Sequence, residues 1–329
     1  MYRVGILGFG KMGQIRANVI EDSGIAKVCS IYDIEPFSDK TPFKNFSNAD
    51  GIINDPRIDA VFICTPNHLN FPLTKKALIS GKHVFCEKPP AFSSDQVKMI
   101  MDLEKKYKKV LMYGFNHRHH ESIIHMGKLI DSHEYGEVLW MRGRYGKSVD
   151  RSFFNSWRAN KKLAGGGILL DQGIHMLDLF IMFSGGFDSV KAEVSNRYWG
   201  LDVEDNVFAI YKNSTNGIVA SLHSTMTQWR HLFSLEVFLE KGYLVLNGLK
   251  TSSGTYGDEI LSIAKNRTSA PAATWEDEEH IKFPTDISWQ SEVEHFFDSI
   301  KNKRPISIGS SKNALDVMKL IDMTYEEHN

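Results

Sequence analysis

At 329 residues the chain is too long for one ordinary core, so two domains are expected. Its composition, 42% hydrophobic and 24% charged, is that of an ordinary globular protein, and a formal net charge of −1 gives no electrostatic reason to bind nucleic acid or an anionic membrane. No apolar run reaches the roughly 18 residues of a membrane span; the longest, Ile168 to Phe183, is broken by Asp171, Gln172, His175 and Asp178. Tyr2 already belongs to the first expected strand, which leaves no room for a signal peptide. Cys29, Cys64 and Cys86 all lie in apolar strand-like runs, which suits free thiols in a reducing compartment, so the expected location is the cytoplasm.

Tyr2 to Leu7 reads as a buried strand, followed at once by Gly8-Phe9-Gly10-Lys11-Met12-Gly13 and a helix over Gln14 to Glu21. A second apolar run, Val28 to Tyr32, ends in Asp33, 20 residues beyond Gly13. Glycine triplets occur in many loops; a strand before, a helix after and an acid at the end of the next strand mark this one as a dinucleotide-binding turn. Gly8 permits the tight turn, Gly10 lets the backbone approach a pyrophosphate, and Gly13 allows the helix to pack closely on the sheet. The whole turn, with Phe9, Lys11 and Met12, is expected to hold the cofactor, because a helix start offers N–H donors and positive dipole to phosphates. Asp33 is placed to accept hydrogen bonds from ribose hydroxyls and would repel a 2′-phosphate, so NAD is expected in preference to NADP.

The sequence is irregular through Pro36, Ser38, Asp39 and Pro42, then recovers with the continuous apolar run Ile58 to Cys64. A helix over Phe71 to Ile79, a strand His83 to Cys86, a helix from Ser94 to about Lys106 and a strand Val110 to Phe115 follow. This alternation predicts a doubly wound parallel sheet, which binds ligands beyond the carboxyl ends of its strands. Thr65-Pro66-Asn67 with His68, Glu87-Lys88-Pro89 and Asn116-His117-Arg118 each start where a strand ends. Thr65, Pro66, Asn67, His68, Glu87, Lys88 and Asn116 are therefore expected around the nicotinamide half of the cofactor, with Arg118 toward the substrate.

The grammar changes near residue 119, which predicts a dinucleotide-binding domain over 1–118 and a second domain over 119–329. A helix over His119 to Ile130, a strand Val138 to Tyr145 and a helix over Ile168 to Phe183 come first. Strand-like runs then crowd together: Val190 to Tyr198, Asn206 to Tyr211, Ile218 to Met226, Leu232 to Leu239 and Tyr243 to Leu246. Turns such as Asn216-Gly217 and Lys241-Gly242 between them predict a mostly antiparallel sheet. Helices near Gln290 to Lys301 and Lys312 to Tyr325 close the chain, and the polar stretch Ser269 to Glu279 is expected as a surface loop. The fold class is α/β.

Three groups of residues could do chemistry. Proline ends the ladder after Glu87-Lys88, leaving Lys88 at a carboxyl edge where it could polarise a substrate oxygen; the plain alternative is a solvated lysine. Asp171, His175 and Asp178 stand at i, i+4 and i+7, on one helical face if the segment is an α-helix. Such a set could be a metal site, a general acid–base pair of His175 with Asp171, or a satisfied packing network. No third metal ligand is in view, and no metal is expected. Trp157-Arg158 could stack on and hydrogen-bond a polyhydroxylated ligand or simply anchor packing, and His117, His119 and His120 suit solvated or capping positions.

The ordered set Gly8-x-Gly10-x-x-Gly13, Thr65-Pro66-Asn67, Gly81-Lys82-His83-Val84, Glu87-Lys88-Pro89 and Asp171-x-Gly173-x-His175-x-x-Asp178 resembles the glucose–fructose oxidoreductase / inositol dehydrogenase family (Gfo/Idh/MocA) along nearly the whole chain. The resemblance implies an oxidoreductase acting on a ring hydroxyl or ketone of sugars and cyclitols. It also implies a second domain whose large open sheet is used for oligomerisation, hence a homodimer or homotetramer. Lys88 matches a lysine that contacts cofactor and substrate, Asp171 and His175 match the family's acid and proton-transfer histidine, and Asn116 matches a polar residue near the nicotinamide. Asn70 stands where the family often has histidine, and His68 at a variable place. Arg144-Tyr145-Gly146 and Trp157-Arg158-Ala159 resemble members associated with bacterial surface-carbohydrate synthesis, which implies a sugar that is phosphorylated or nucleotide-linked, with Tyr145, Trp157 and Arg158 among its contacts beside Lys88, Arg118, Asp171 and His175. The resulting expectation is an NAD-dependent sugar or polyol dehydrogenase. Its rivals are an NAD-dependent glycoside hydrolase of the same fold and a non-catalytic NAD-binding regulator.

Overall fold

The computed structural model describes residues 1–34, 41–266 and 273–328. The irregularity expected at Pro36, Ser38 and Asp39, and the part of the polar loop over Ser269 to Ala272, lie outside the described residues. The chain forms two compact units. One comprises Met1–Asn116, Lys162–Gly165 and Ser288–Met318; the other comprises His117–Lys161, Gly166–Ile287 and Lys319–Asn329.

In the first unit six described strands, β1 (Tyr2–Leu7), β2 (Ala26–Tyr32), β3 (Lys44–Asn45), β4 (Ala60–Ile63), β5 (His83–Glu87) and β6 (Leu111–Gly114), form a parallel sheet in the order β3-β2-β1-β4-β5-β6. The order reverses between β1 and β4, the switch point at which dinucleotides bind. β4 is buried at every position, as its unbroken apolar run requires of a strand covered on both faces. Helices Lys11–Ser23, Asn70–Ile79 and Ser94–Tyr107 lie along this part of the chain; the last is capped by Ser93, whose side chain accepts from the Gln96 amide.

The expected division at 118/119 meets a correction in the late segments, because helix Ser288–Asn302 belongs to the first unit. Its Val293, Phe296 and Phe297 join the core of this sheet, with Phe62 stacked on Phe85 and edge-on to Phe296. Amphipathic periodicity shows that the helix must bury one face; it does not say against which sheet.

The second unit contains β7 (Val138–Ser148), β8 (Ser189–Ser195), β9 (Asn206–Lys212), β10 (Val219–Thr225), β11 (Thr227–Leu239), β12 (Gly242–Asn247), β13 (Glu259–Lys265) and β14 (Glu279–Phe283). They pair in the order β14-β13-β12-β11-β7-β10-β9-β8, antiparallel except for β10 with β7 among the described residues. β13 and β14 were not expected. β14 is a mostly exposed edge strand with charges on it, its alternation is confined to Ile281 and Phe283 on either side of Lys282, and its first residue closes the stretch expected to be a loop.

One face of this sheet is covered by the helix Ile174–Ser184. A Cβ on Gly143 would lie 2.4 Å from Met176, so glycine there lets helix and strand approach. The opposite face carries Trp140, Phe208 and Ile210, all exposed, with Trp140 stacked on Phe238. The stretch Lys161–Ser184 is, contrary to the sequence expectation, long and apolar enough to pass as a membrane span by length and composition; 78% of its apolar window is buried, as in a core helix.

Candidate active site

The glycine turn of the first unit has the geometry a pyrophosphate cradle needs. Gly8 adopts φ +85°, and a Cβ there would meet the Cys64 carbonyl at 2.5 Å; a Cβ on Gly13 would lie 2.1 Å from the Gly8 carbonyl. A Cβ on Gly10 would meet no protein atom within 4 Å. Two glycines are thus demanded by packing, and the third leaves backbone open to a ligand. The following helix has no side-chain cap, so its first-turn amides remain available to an anion. Asp33, at the end of β2, accepts from the Phe9 amide at 2.5 Å, which ties the acid to the turn it is expected to serve.

At the carboxyl end of β5, Lys88 is half-buried and joined to Pro89 by a cis peptide. Its flanks are held by a residue whose role the sequence did not disclose. Asn70, fully buried, donates from Nδ2 to the carbonyls of Glu87 (3.1 Å) and Pro89 (2.8 Å) and accepts from the Thr65 hydroxyl at 3.3 Å. The departure from the family pattern at this position was the available signal. Glu87 is gripped by Arg16, which also binds Glu292 at 2.7 Å. Burial alone would favour a neutral guanidine, but Glu292 and Glu87 outweigh it and drive the Arg16 pKa higher still. Asn67 donates to the Ala164 carbonyl at 2.8 Å, Asn116 to the Ser288 hydroxyl at 3.2 Å, and His68 and Pro66 lie partly exposed beside them.

In the second unit, Leu169–Gly173 forms a π-helical turn before the α-helix Ile174–Ser184. The wider turn breaks the expected α-helical stripe of Asp171, His175 and Asp178. Buried Glu204 anchors its start, accepting from the amides of Gly167 (2.7 Å) and Leu169 (3.1 Å) and from the Tyr325 hydroxyl (2.8 Å). Asp171 is partly exposed, accepts from Lys147 Nζ, and has Arg158 Nε at 3.6 Å. The Arg158 guanidinium lies 4.3 Å from the Trp157 ring, so this expected ligand pair is stacked on itself and turned toward Asp171. Lys147 was missed, although strand alternation puts it on the same side of β7 as Tyr145.

His175 is 5% exposed. His117 lies against it with ring centroids 3.9 Å apart and 17° between planes, and His117 Nε2 is 2.9 Å from the Tyr145 hydroxyl. This corrects the solvated placement expected for His117, His119 and His120, all of which are buried; His120 does stand at the N-cap of the helix Glu121–Asp131, without a side-chain cap bond. His120 pairs with Glu259 at 3.0 Å, and Glu259 is a β13 residue, on a strand the sequence did not reveal. Gln172 donates to the Tyr256 hydroxyl beside this cluster. Arg118, an expected substrate contact, instead spends its fork on Asp178, with Nε and Nη2 each 2.6 Å from a carboxylate oxygen. Burial pushes the Asp178 carboxyl up against the pull of Arg118.

A parallel sheet in this strand order with a glycine cradle defines a dinucleotide-binding domain, here coupled in one chain to an open-sheet domain carrying a buried histidine and a reachable acid. Residues 2–115 match the oxidoreductase family with an NAD-binding Rossmann fold, and residues 123–245 match the Gfo/Idh/MocA C-terminal domain. The chain belongs to the Gfo/Idh/MocA family, and its first unit is an NAD-binding domain. It is 37% identical to the levoglucosan dehydrogenase of Pseudarthrobacter phenanthrenivorans over 146 residues, 44% of this chain and 37% of that protein. It is 28% identical to the D-glucoside 3-dehydrogenase of Escherichia coli over 236 residues, 68% of this chain and 66% of that one. These matches span less than two thirds of the length of the curated relatives. A solved levoglucosan dehydrogenase in complex with NADH and L-sorbose superposes with a TM-score of 0.87 at 24% identity, covering 100% of this chain and 97% of the other, which establishes the fold.

Proposed function

We propose that the protein is an NAD-dependent dehydrogenase acting on a ring hydroxyl or ketone of a sugar, sugar derivative or cyclitol. The observation that carries this reading is a buried histidine, His175, four residues along the same segment from a partly exposed acid, Asp171, in a chain whose other unit has an NAD cradle. Bound NAD would supply the hydride acceptor. In the oxidative direction His175 takes the hydroxyl proton, a role suited to a side chain whose unperturbed pKa is about 6.5. Lys88, held by the Asn70 strap, polarises the reacting oxygen, and Asp171 with Lys147 orients the substrate hydroxyls. The names of the relatives support a carbohydrate substrate, a phosphorylated sugar included, whereas a nucleotide-linked sugar rests on the sequence resemblance alone.

The test is NADH formation with levoglucosan, D-glucosides, glucose 6-phosphate, myo-inositol and nucleotide sugars. Net NADH with one of them supports a dehydrogenase; cleavage of a glycoside without net NADH would instead reveal a hydrolase. His175→Asn should lower turnover by roughly 10²–10⁴-fold, the usual worth of general acid–base catalysis, with little change in NADH affinity. Retained turnover would shift the proton to Lys88. We further propose that the exposed apolar face with Trp140, Phe208 and Ile210 is a subunit interface in a homodimer or homotetramer. Light scattering should then give a multiple of 37.4 kDa, and Ile210→Glu should lower it.

A further inference from the structure

We propose that the groove lined by Phe154, Tyr198 and Trp199 in the second unit is a sugar subsite, which takes a second pyranose ring joined by a glycosidic bond to the ring that reacts. The proposal deepens the dehydrogenase reading and rests on it for the reacting ring. The groove is open, has a volume of about 700 Å³ and is completed by Val149, Asp150 and Arg151. Small-molecule sites typically measure about 300–1,000 Å³.

Tyr198 is 71% exposed and Phe154 47%, and clustered aromatic surface left in water to this extent marks a binding site. Phe154 and Tyr198 both meet the Trp199 ring edge-on, with centroids 6.2 and 4.9 Å away. The backbone beneath these rings is fixed. Buried Asp205 accepts from the amides of Tyr198 and Trp199, each at 2.9 Å, and Trp199 Nε1 donates to the Met226 carbonyl at 3.0 Å. Asn196 ties the loop shut by bonding both the amide and the carbonyl of Leu201. On the other wall, Asp150 caps the turn Arg151–Asn155 by accepting from the Ser152 amide at 2.8 Å. Flat rings held in place lose little freedom when a ligand settles on them.

Position ties the groove to the candidate acid. Thr225 pairs with Gly146 of β7 and Asn206 of β9, so the loop carrying Tyr198 and Trp199 leaves the sheet at the end where Lys147 binds Asp171. Phe153, the neighbour of Phe154, has Lys147 Nζ 5.3 Å from its ring centre. One short turn therefore touches the partner of Asp171 and also walls the groove. The rim carries one acid and one base, Asp150 and Arg151, and Lys147 and Arg158 are turned to Asp171, so no excess positive charge waits for a diphosphate. A neutral pyranose fits this chemistry: its C–H face lies on the rings while its hydroxyls meet the polar rim.

The experiment compares methyl β-D-glucoside with cellobiose and methyl α-D-glucoside with maltose, pairs in which a glucose ring replaces the methyl group. Binding to the NADH-loaded protein is measured by calorimetry, and kcat/KM by NADH formation. In at least one pair the disaccharide should bind about tenfold more tightly, and kcat/KM should follow. Tyr198→Ala should reduce that ratio to below about threefold, and Tyr198→Phe, which keeps the ring, should retain it. Equal affinities within both pairs, no affinity for any of the four sugars, or a ratio unchanged by Tyr198→Ala would overturn the proposal. So would UDP-glucose binding more tightly than either disaccharide in a Tyr198-dependent way, which would make the groove a nucleobase site. A lowered mass of Tyr198→Ala in light scattering would likewise overturn it by assigning the rings to a subunit contact. Calorimetry needs no turnover, so the two readings fail separately. A Tyr198-dependent disaccharide preference without NADH formation refutes the dehydrogenase alone, whereas NADH formed at equal kcat/KM within both pairs refutes only the subsite.

Discussion

Asp171 and Asp178 lie two helical turns apart on one continuous segment, and the sequence gives them the same chemistry. The fold separates them. Asp178 is 1% exposed and closed by a bidentate bond to Arg118, whereas Asp171 is 22% exposed and shares itself between Lys147 and a more distant Arg158. A carboxylate whose two oxygens are both engaged by a buried guanidinium is placed to hold structure; one that keeps a solvent-facing edge can meet a ligand. The difference teaches that residue type and spacing nominate an acid for chemistry, while the partner and the depth decide which nominee stays open to a ligand.

The largest expected effect comes from breaking the closed pair. Asp178→Ala leaves Arg118 buried without its counter-charge and should cost about 3–5 kcal/mol in denaturant-induced unfolding, whereas both residues replaced together should cost less than the sum. A loss below about 1 kcal/mol would mean that water reaches the pair and that Arg118 is open to a ligand after all.

Asp171→Asn sharpens the same contrast from the other side. Turnover should fall by about 10²-fold through lost charge and substrate orientation, while stability changes by less than about 1 kcal/mol because the site is partly solvated. A variant that loses stability but keeps its rate would make Asp171 a second structural acid.

Asn70 combines both behaviours, being fully buried yet holding the flanks of Lys88. Asn70→Leu should cost about 1–3 kcal/mol by leaving two carbonyls without donors, and it should lower kcat more than it raises KM. Unchanged kcat would show that Pro89 alone sets the loop.

The smallest effect concerns a group that burial shifts against the opposing pull of an acid, Asp59. Burial and the charge of Lys109 lower the pKa of His83 to about 4, and its Nδ1 accepts from the Val110 amide at 3.0 Å. The unfolded chain takes up this proton below about pH 6.5, but the folded one does so only near the depressed value. Stability should therefore fall as pH drops from about 6.5 to 4, by an amount reduced by the ring's partial exposure. His83→Asn keeps an acceptor at the Nδ1 position and removes the titration, so the slope of unfolding free energy against pH should flatten in that window. An unchanged slope would assign the acid sensitivity to other groups.

Much of the first unit was legible because its signals are local. The glycine turn, the apolar runs of β1, β4 and β5 and the proline after Lys88 each obey rules that span a few residues, and the expected strands differ from the observed ones mainly at their ends. In the second unit the buried alternation of β7 and β9 was equally readable, but β14 carries exposed charged residues and alternates only over Ile281, Lys282 and Phe283, too short a run to stand out. His117 looked like part of a polar cluster because nothing in its neighbours forecasts that a strand and a helix close over it.

By itself, then, the chain determined where backbone turns, which segments must be buried and which side chains are candidates for chemistry. Those are properties of spacing and side-chain type. The tertiary structure decided the partners: Arg118 with Asp178 across 60 positions, Arg16 with Glu292 across 276, His117 against His175, and the helix Ser288–Asn302 with the first sheet. Such pairings depend on which surfaces meet in space, and periodicity along a chain reports that a surface must be covered without naming what covers it.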